Sequence, residues 1–419
     1  MKKHLILAGT AVLAAAATTN EMSAKFIETA DSANVYKAMS ENAPGREKMR
    51  DVPRFTLVGK DDKFYLGFGA NLKMVGDFDW GHPVDNANEF APADIPMSIK
   101  DGNGGKTQFS IGQSDFYMNF VALPGTANQL GIFLDINFLG SSVKTVALHH
   151  AYLKYRGLTA GYVVSTFTDL AAEPYAIDFA GPNSITFERN PNISWTQKFG
   201  KDKMWSAALG VDMPVFSAAN MTAGKGTTFV NQRMPDIPFY LQRSWADGKG
   251  WFRASAIFRD LYYRNTVTGR NEGELGWGVK VSGKSPIVGG LSCAWQAVYG
   301  KGVSAYINDL GGQGLDLVGS TTDGKMQTVK AWGAYGTLRY DFSPKVFMNA
   351  TYSHVRAYAP TDVMDGTTYK YGQYVTTNLI WKINSFASCG VEYLWGRRVD
   401  LSGMQAHDNR VMLMLQVSI

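Results

Sequence analysis

Residues 64–74 read Phe64-Tyr65-Leu66-Gly67-Phe68-Gly69-Ala70-Asn71-Leu72-Lys73-Met74. Phe64, Leu66, Phe68, Ala70, Leu72 and Met74 alternate with Tyr65, Gly67, Gly69, Asn71 and Lys73, a period of two. Successive side chains of a strand point to opposite faces, so this stretch predicts a strand with one apolar face and one small or polar face. The rhythm returns at Ile132, Leu134 and Ile136, at Trp205, Ala207, Leu209 and Val211, and at Leu275, Trp277, Val279 and Val281. It recurs at Trp332, Ala334, Leu338 and Tyr340 and at Val375, Thr377, Leu379 and Trp381. The chain closes on it, with Val411, Leu413, Leu415, Val417 and Ile419. Counting from residue 63 onward gives about 16 strands, an even number as single-chain bacterial barrels have.

Soluble sandwiches also alternate. Three features favour a transmembrane antiparallel β-barrel, an all-β fold. The polar face repeats Gly, Asn, Thr, Lys and Arg, as a water-filled lumen needs. Trp and Tyr gather near strand ends, as interfacial girdles do. Short connections such as Pro124-Gly125, Arg156-Gly157, Asp247-Gly248 and Asn384-Ser385 alternate with long ones near 76–105, 166–184, 217–235, 303–326, 357–370 and 398–408. These are the two rims of a barrel. The barrel is expected over 55–419.

Composition sets the outer limits. Of 419 residues, 45% are hydrophobic and 13% aromatic, which excludes disorder. Two cysteines exclude a disulfide scaffold, and Cys293 and Cys389 fall on distant strands. A net charge of +5 is too small a bias for nucleic acid to be the expected partner. Lys2 and Lys3, the apolar run from Leu5 and the small residues ending at Ala17 predict a signal peptide within 1–24, cleaved near 17–24. Residues 25–54 read as a periplasmic lead-in with a short helix from Ala33 to Ser40, stopped by Asn42-Ala43-Pro44.

The register assigns charges to the lumen. Phe252, Ala254, Ala256 and Phe258 face outward, so Arg253 and Arg259 face inward. The same parity turns Lys280, Arg339, Lys382, Arg398 and Arg410 inward, with Asp115, Asp135, Asp212 and Glu392 as inward acids. Either the arginines form a path that hands on carboxylate-bearing solutes by bidentate pairing, or they brace acids in the wall. The third long loop, 166–184, is the expected constriction and offers Asp169, Glu173 and Asp178 with aromatic anchors.

The segment 149–196 carries the most specific signal. It contains His149-His150-Ala151-Tyr152, Ser165-Thr166-Phe167-Thr168-Asp169, Asp178-Phe179-Ala180-Gly181-Pro182 and Arg189-Asn190-Pro191-Asn192-Ile193. This resembles the DcaP-like outer-membrane porins; Tyr299-Gly300-Lys301-Gly302 is a further shared feature. The resemblance implies a homotrimeric 16-stranded porin in the bacterial outer membrane that passes small anionic solutes such as dicarboxylates. It also implies that Asp169, Asp178 and Arg189 shape or anchor the constriction. His149 stands where the family commonly has arginine, and the terminal Ile419 replaces the usual aromatic.

Other motifs are read as non-catalytic. Gly311-Gly312-Gln313-Gly314-Leu315-Asp316 matches one calcium nonapeptide, but such sites need stacked copies, so a flexible glycine loop is expected. Asp77, Asp79, His82, Asp85 and Glu89 read as a solvated acidic loop rather than a calcium site. His149 and His150 suggest a metal, but neighbours on a strand face opposite sides, so no metal or other cofactor is predicted. Ser353 and His354 are also expected on opposite faces, and Ser353 is expected to be inert. No catalytic motif is present. The functional expectation is a diffusion channel for small hydrophilic solutes with anion preference; the alternative is a non-conducting barrel that binds ligands or carries an enzymatic site at its surface.

Overall fold

The computed structural model of the chain describes residues 24–45, 51–99, 102–140, 145–219, 221, 226–319 and 322–419. The predicted signal peptide lies outside the described residues, apart from Ala24. Among the described residues, 16 strands close into one antiparallel ring. In chain order they are β1 (Phe64–Gly81), β2 (Asp115–Ala122), β3 (Leu130–Asn137), β4 (Ala147–Tyr155), β5 (Leu158–Val164), β6 (Arg189–Phe199), β7 (Trp205–Asp212) and β8 (Ile237–Trp245). They continue as β9 (Gly250–Asn265), β10 (Arg270–Val288), β11 (Leu291–Lys301), β12 (Lys330–Ser343), β13 (Val346–Tyr358), β14 (Tyr369–Lys382), β15 (Ala387–Asp400) and β16 (Gln405–Ser418). Each pairs with its neighbour in sequence, and β16 returns to β1 from Asp408↔Gly81 to Ser418↔Asn71.

Closure follows from solvent. Hydrocarbon offers no partners to backbone groups, so a sheet that sits in it can leave no edge. The outer face matches that setting: Phe68, Leu72, Met74, Leu134, Leu209, Phe239, Leu379, Leu413 and Leu415 are all exposed. Such a band covers far more than a soluble monomer exposes. Near the long-loop rim Phe78 stacks on Trp80, and Trp332 on His354. Near the short-turn rim Phe199 stacks on Trp205, and Tyr340 meets Phe342 edge-on. These are the two aromatic girdles. No helix among the described residues is long and apolar enough to cross a membrane.

Short turns obey hairpin chemistry. Arg156 and Gly157 have φ of 50° and 84°, the two positive values that a two-residue type I′ turn requires. One connection on the other rim is also short: β9 and β10 join through 266–269. The eighth connection, expected over 398–408, shrinks to 401–404 because β15 and β16 extend into it.

The N-terminal segment completes the wall and enters the lumen. The short strand Phe55–Val58 pairs with β1 just beyond the point where Ile419 stops, and Lys25–Glu28 pairs with it in turn. Between them helix α1 (Ala33–Asn42) lies against the inner wall. Asn42 Nδ2 donates to Asn119 Oδ1 at 2.8 Å, to the Ile132 carbonyl at 3.0 Å and to the Phe120 carbonyl at 3.2 Å. Gly131 is glycine because a Cβ there would overlap the Asn42 side chain.

A ring of this size was expected to enclose open water. Instead the long-loop half is filled. Phe167, Val303, Tyr306, Ile307, Leu310 and Leu315 from the loops form an apolar core with Ile257, Val298 and Val355 of the wall. The sixth loop (302–329) adds a small sheet with the fourth (213–236). The Gly311–Gly314 segment is therefore the turn of a packed loop, and its expected flexibility is corrected by the buried Leu315 and Leu317 that follow it.

Asn42→Ala removes three hydrogen bonds to the wall and leaves buried acceptors, a cost of about 1–3 kcal/mol. The expected outcome is faster trypsin cleavage after Lys37 in the folded barrel, with the barrel's heat-modified gel mobility unchanged.

Candidate functional site: the lumen constriction

The third loop (165–188) leaves β5, crosses the lumen and returns as β6. A loop folded into a barrel cannot use a ladder, so its backbone groups need side-chain partners. The inner wall supplies them in sequence. At the near end the Asp169 carboxylate accepts from Ser282 Oγ at 2.7 Å and Trp251 Nε1 at 3.1 Å, and pairs with Arg253 at 3.3 Å. Arg253 also donates to the Thr168 carbonyl, and Lys280 Nζ donates to the Phe167 carbonyl and to Thr186 Oγ1. Mid-loop, Tyr335 donates to the Ala172 carbonyl at 3.0 Å, while Asn349 and Asn378 share the Tyr175 carbonyl.

At the far end Glu392 accepts the Ile177 and Asp178 amides, both at 2.8 Å. Asp178 then accepts from the Phe90 amide at 2.9 Å and Tyr374 at 3.0 Å, which ties the first loop to the third. On the way back Ser353 Oγ contacts Asn183 Oδ1 at 2.6 Å and Ser184 Oγ at 2.7 Å. Ser353 and His354 do face opposite sides, but Ser353 is a loop fastener rather than an inert residue.

The predicted inward cations are mostly engaged in the same task. Arg259 is fully buried between Asp236 (3.1 Å) and Asp316 (3.0 Å) and donates to the Gly302 and Val215 carbonyls, binding the fourth and sixth loops to β9. Arg410 pairs with Asp79 at 2.5 and 2.7 Å and with Asp77 at 3.2 Å, and donates to the Asn86 and Val84 carbonyls. Asp77 and Asp79 thus lie on β1 as buried partners of an arginine, which corrects the reading of a solvated acidic loop. Arg398 donates to the Ala93 carbonyl at 2.5 Å. Arg339 pairs with Asp341 at 2.9 Å under the Phe347 ring, near the short-turn rim. Asp115 accepts from Asn71 at 2.7 Å. Asp135 faces His149 and His150 on β4, both of which point inward. The parity argument for His149 and His150 fails because the β3–β4 register slips there.

A cavity of about 90 Å³ lies beside the loop, lined by Glu89, His149, Glu173, Phe179, Phe187 and Arg189 among others. Of the expected constriction residues, Glu173 and Arg189 border this cavity, and Asp169 and Asp178 hold its loop in place. Glu89 and His149 join them; neither was read from the sequence as a lining residue. Arg189 lies over the Phe187 ring at 5.0 Å, so its charge is held at the wall.

No family model matches the chain, and no curated protein matches it. Solved structures do match. The outer membrane channel DcaP of Acinetobacter baumannii superposes with a TM-score of 0.72 at 18% identity, covering 86% of this chain and 99% of that one. The fold is that of an outer-membrane channel. OmpT of Vibrio cholerae, an outer membrane protein, gives 0.51 at 12% identity in its trimer form, covering 85% and 99%. The anion-selective porin from Comamonas acidovorans gives 0.50 at 10%, covering 85% and 100%. The likeness to DcaP-like porins read from 149–196 is thus met at the level of fold, and the barrel is of the outer-membrane type.

Asp169 gives the loop a pH-sensitive anchor. Burial alone would raise its carboxyl pKa, but Arg253, Lys280 and the hydrogen bonds from Ser282 and Trp251 outweigh this and hold it below the ordinary range. A lowered native pKa contributes stability that is fully present above the unfolded value, about 4, and is lost as pH falls through the native one. The Asp169 anchor is therefore expected to hold from neutral pH down to about 4 and to loosen below it. Asp169→Asn should cost about 3–5 kcal/mol, because it leaves buried cations unpaired. Both effects are read as lower unfolding temperature and as noisier single-channel current.

Proposed function

We propose that the chain is an outer-membrane porin: a passive diffusion channel for small hydrophilic solutes, built as a homotrimer, with no enzymatic role. The observation that carries this is the third loop, folded into the ring and fastened along its inner wall from Asp169 to Glu392, beside a cavity lined by Glu89, Glu173 and Arg189. The trimer is supported by the trimer form described for OmpT of Vibrio cholerae. Export through a signal peptide in 1–24 and a periplasmic setting for 25–54 belong to the same proposal, with α1 at the periplasmic mouth.

The proposal includes preference for small anions such as dicarboxylates. Arg189 supports it, because this guanidinium lines the cavity. Glu173 and Glu89 oppose it from the same lining. The selectivity determinants are thus three cavity-lining residues rather than a column of arginines, since Arg259, Arg398 and Arg410 hold loops.

The test is reconstitution in a planar bilayer under a salt gradient. Conductance steps in groups of three with an anion-signed reversal potential are expected. Arg189→Gln should lower the anion-to-cation permeability ratio on the order of fivefold, the weight of about 1 kcal/mol between unit charges at contact in water. Glu173→Gln should raise it. Absence of conductance would replace the channel reading with that of a binding barrel.

A further inference from the structure

Strands β3 and β4 pair in step as far as Asp135, which stands opposite His150, and then Ile136 stands opposite Leu148. His149 is the extra residue of a β-bulge. Bulges interrupt the ladder and re-aim side chains. Here the bulge turns two consecutive histidines to one side, and both are buried with Asp135. His149 Nδ1 lies 2.9 Å from Asp135 Oδ2, and His150 Nδ1 lies 3.0 Å from Oδ1. The two rings meet at 4.6 Å, close to edge-on. One carboxylate therefore presents each of its oxygens to a different imidazole, and donor atoms from all three residues fall within 4.8 Å of one another.

We propose that Asp135, His149 and His150 form a binding site for a first-row divalent transition ion. Two ligand atoms about 2.1 Å from one ion lie about 3.0 Å apart at right angles, the arrangement of a six-coordinate ion, and about 3.4 Å apart at the tetrahedral angle. The two nitrogen–oxygen separations, 2.9 and 3.0 Å, have the right-angle size. Two imidazoles and a carboxylate are the donor set that zinc, copper, nickel and iron(II) accept, and calcium and magnesium do not favour. Bracing a carboxylate takes one histidine and no bulge; the second histidine and the bulge make a third donor. His149 also lines the cavity beside the third loop, where an ion in it would meet the imidazole. Bound metal adds positive charge at the wall of the constriction, beside Glu89 and Glu173.

The experiment uses full-length protein in detergent, stripped with EDTA and then dialysed against zinc. The expected result is one zinc per chain in the wild type and background zinc in the His149→Gln/His150→Gln double variant, with heat-modified mobility showing that both are folded barrels. Equal zinc in the two, or none in the wild type, would overturn the proposal. If the double variant fails to fold, Asp135→Asn and His149→Gln are measured singly, each expected to bind at least about tenfold more weakly; unchanged affinity in both would overturn it. In bilayers, micromolar zinc is expected to move the wild-type reversal potential toward anions. Zinc retention is measured without conductance, so failure of the channel reading and failure of the metal site are separate results.

Discussion

Every backbone group that enters the lumen must find a partner, and the barrel wall has already spent its own backbone on the ladder. This constraint organises the interior. Loops and a helix occupy a space whose walls present side chains, so loop carbonyls and amides pair with one another or with side chains on the strands. Glu392 receiving two consecutive amides of the third loop is the clearest instance. Asn349, Asn378, Gln296, Ser353 and Tyr335 repeat the device along the wall. Hydrogen bonds to a charged group are the strong ones, about 1.5–3 kcal/mol each, and Glu392 sits at the point where the loop turns back.

The same constraint redistributes charge. Burying a guanidinium is costly unless it is paired and fully bonded. Arg259 and Arg410 meet that condition with two carboxylates each and a set of loop carbonyls. Their charges are neutralised where they stand. Few ionic groups are left to act on a solute, and these belong to loop segments and to the first residue of β6. A barrel can thus turn many arginines inward and spend most of their charge on its own loops.

Much of this was legible in the chain. Period-two alternation located the strands within a few residues, because lipid outside and polar matter inside act on opposite faces of every strand. The third loop was legible from its aromatic and acidic content. Parity also placed Arg259, Arg410 and Glu392 on the inner face. What parity lacks is the partner: nothing near Arg410 in sequence indicates Asp77 or Asp79, which lie more than three hundred residues away. It also fails wherever a strand is irregular. The bulge at His149 reverses the expected face of one residue, and no turn residue or proline announces it. The packed sixth loop was missed because its glycines were read as looseness, when they make the turn that lets Leu315 and Leu317 reach the core.

The seam between β1 and β16 has a bearing on how the molecule is made. Its two strands are separated by nearly the whole chain, and ring closure must wait for the last residues. Until then β1 carries an unpaired edge, the kind of surface that invites pairing with other chains. The strand Phe55–Val58 covers part of that edge with a segment made just before β1 itself. A local hairpin forms in microseconds, whereas closure of the ring spans the full contour of the chain. The N-terminal segment can therefore serve as an early guard on the open edge, and it brings α1 to the inner side before the wall closes around it.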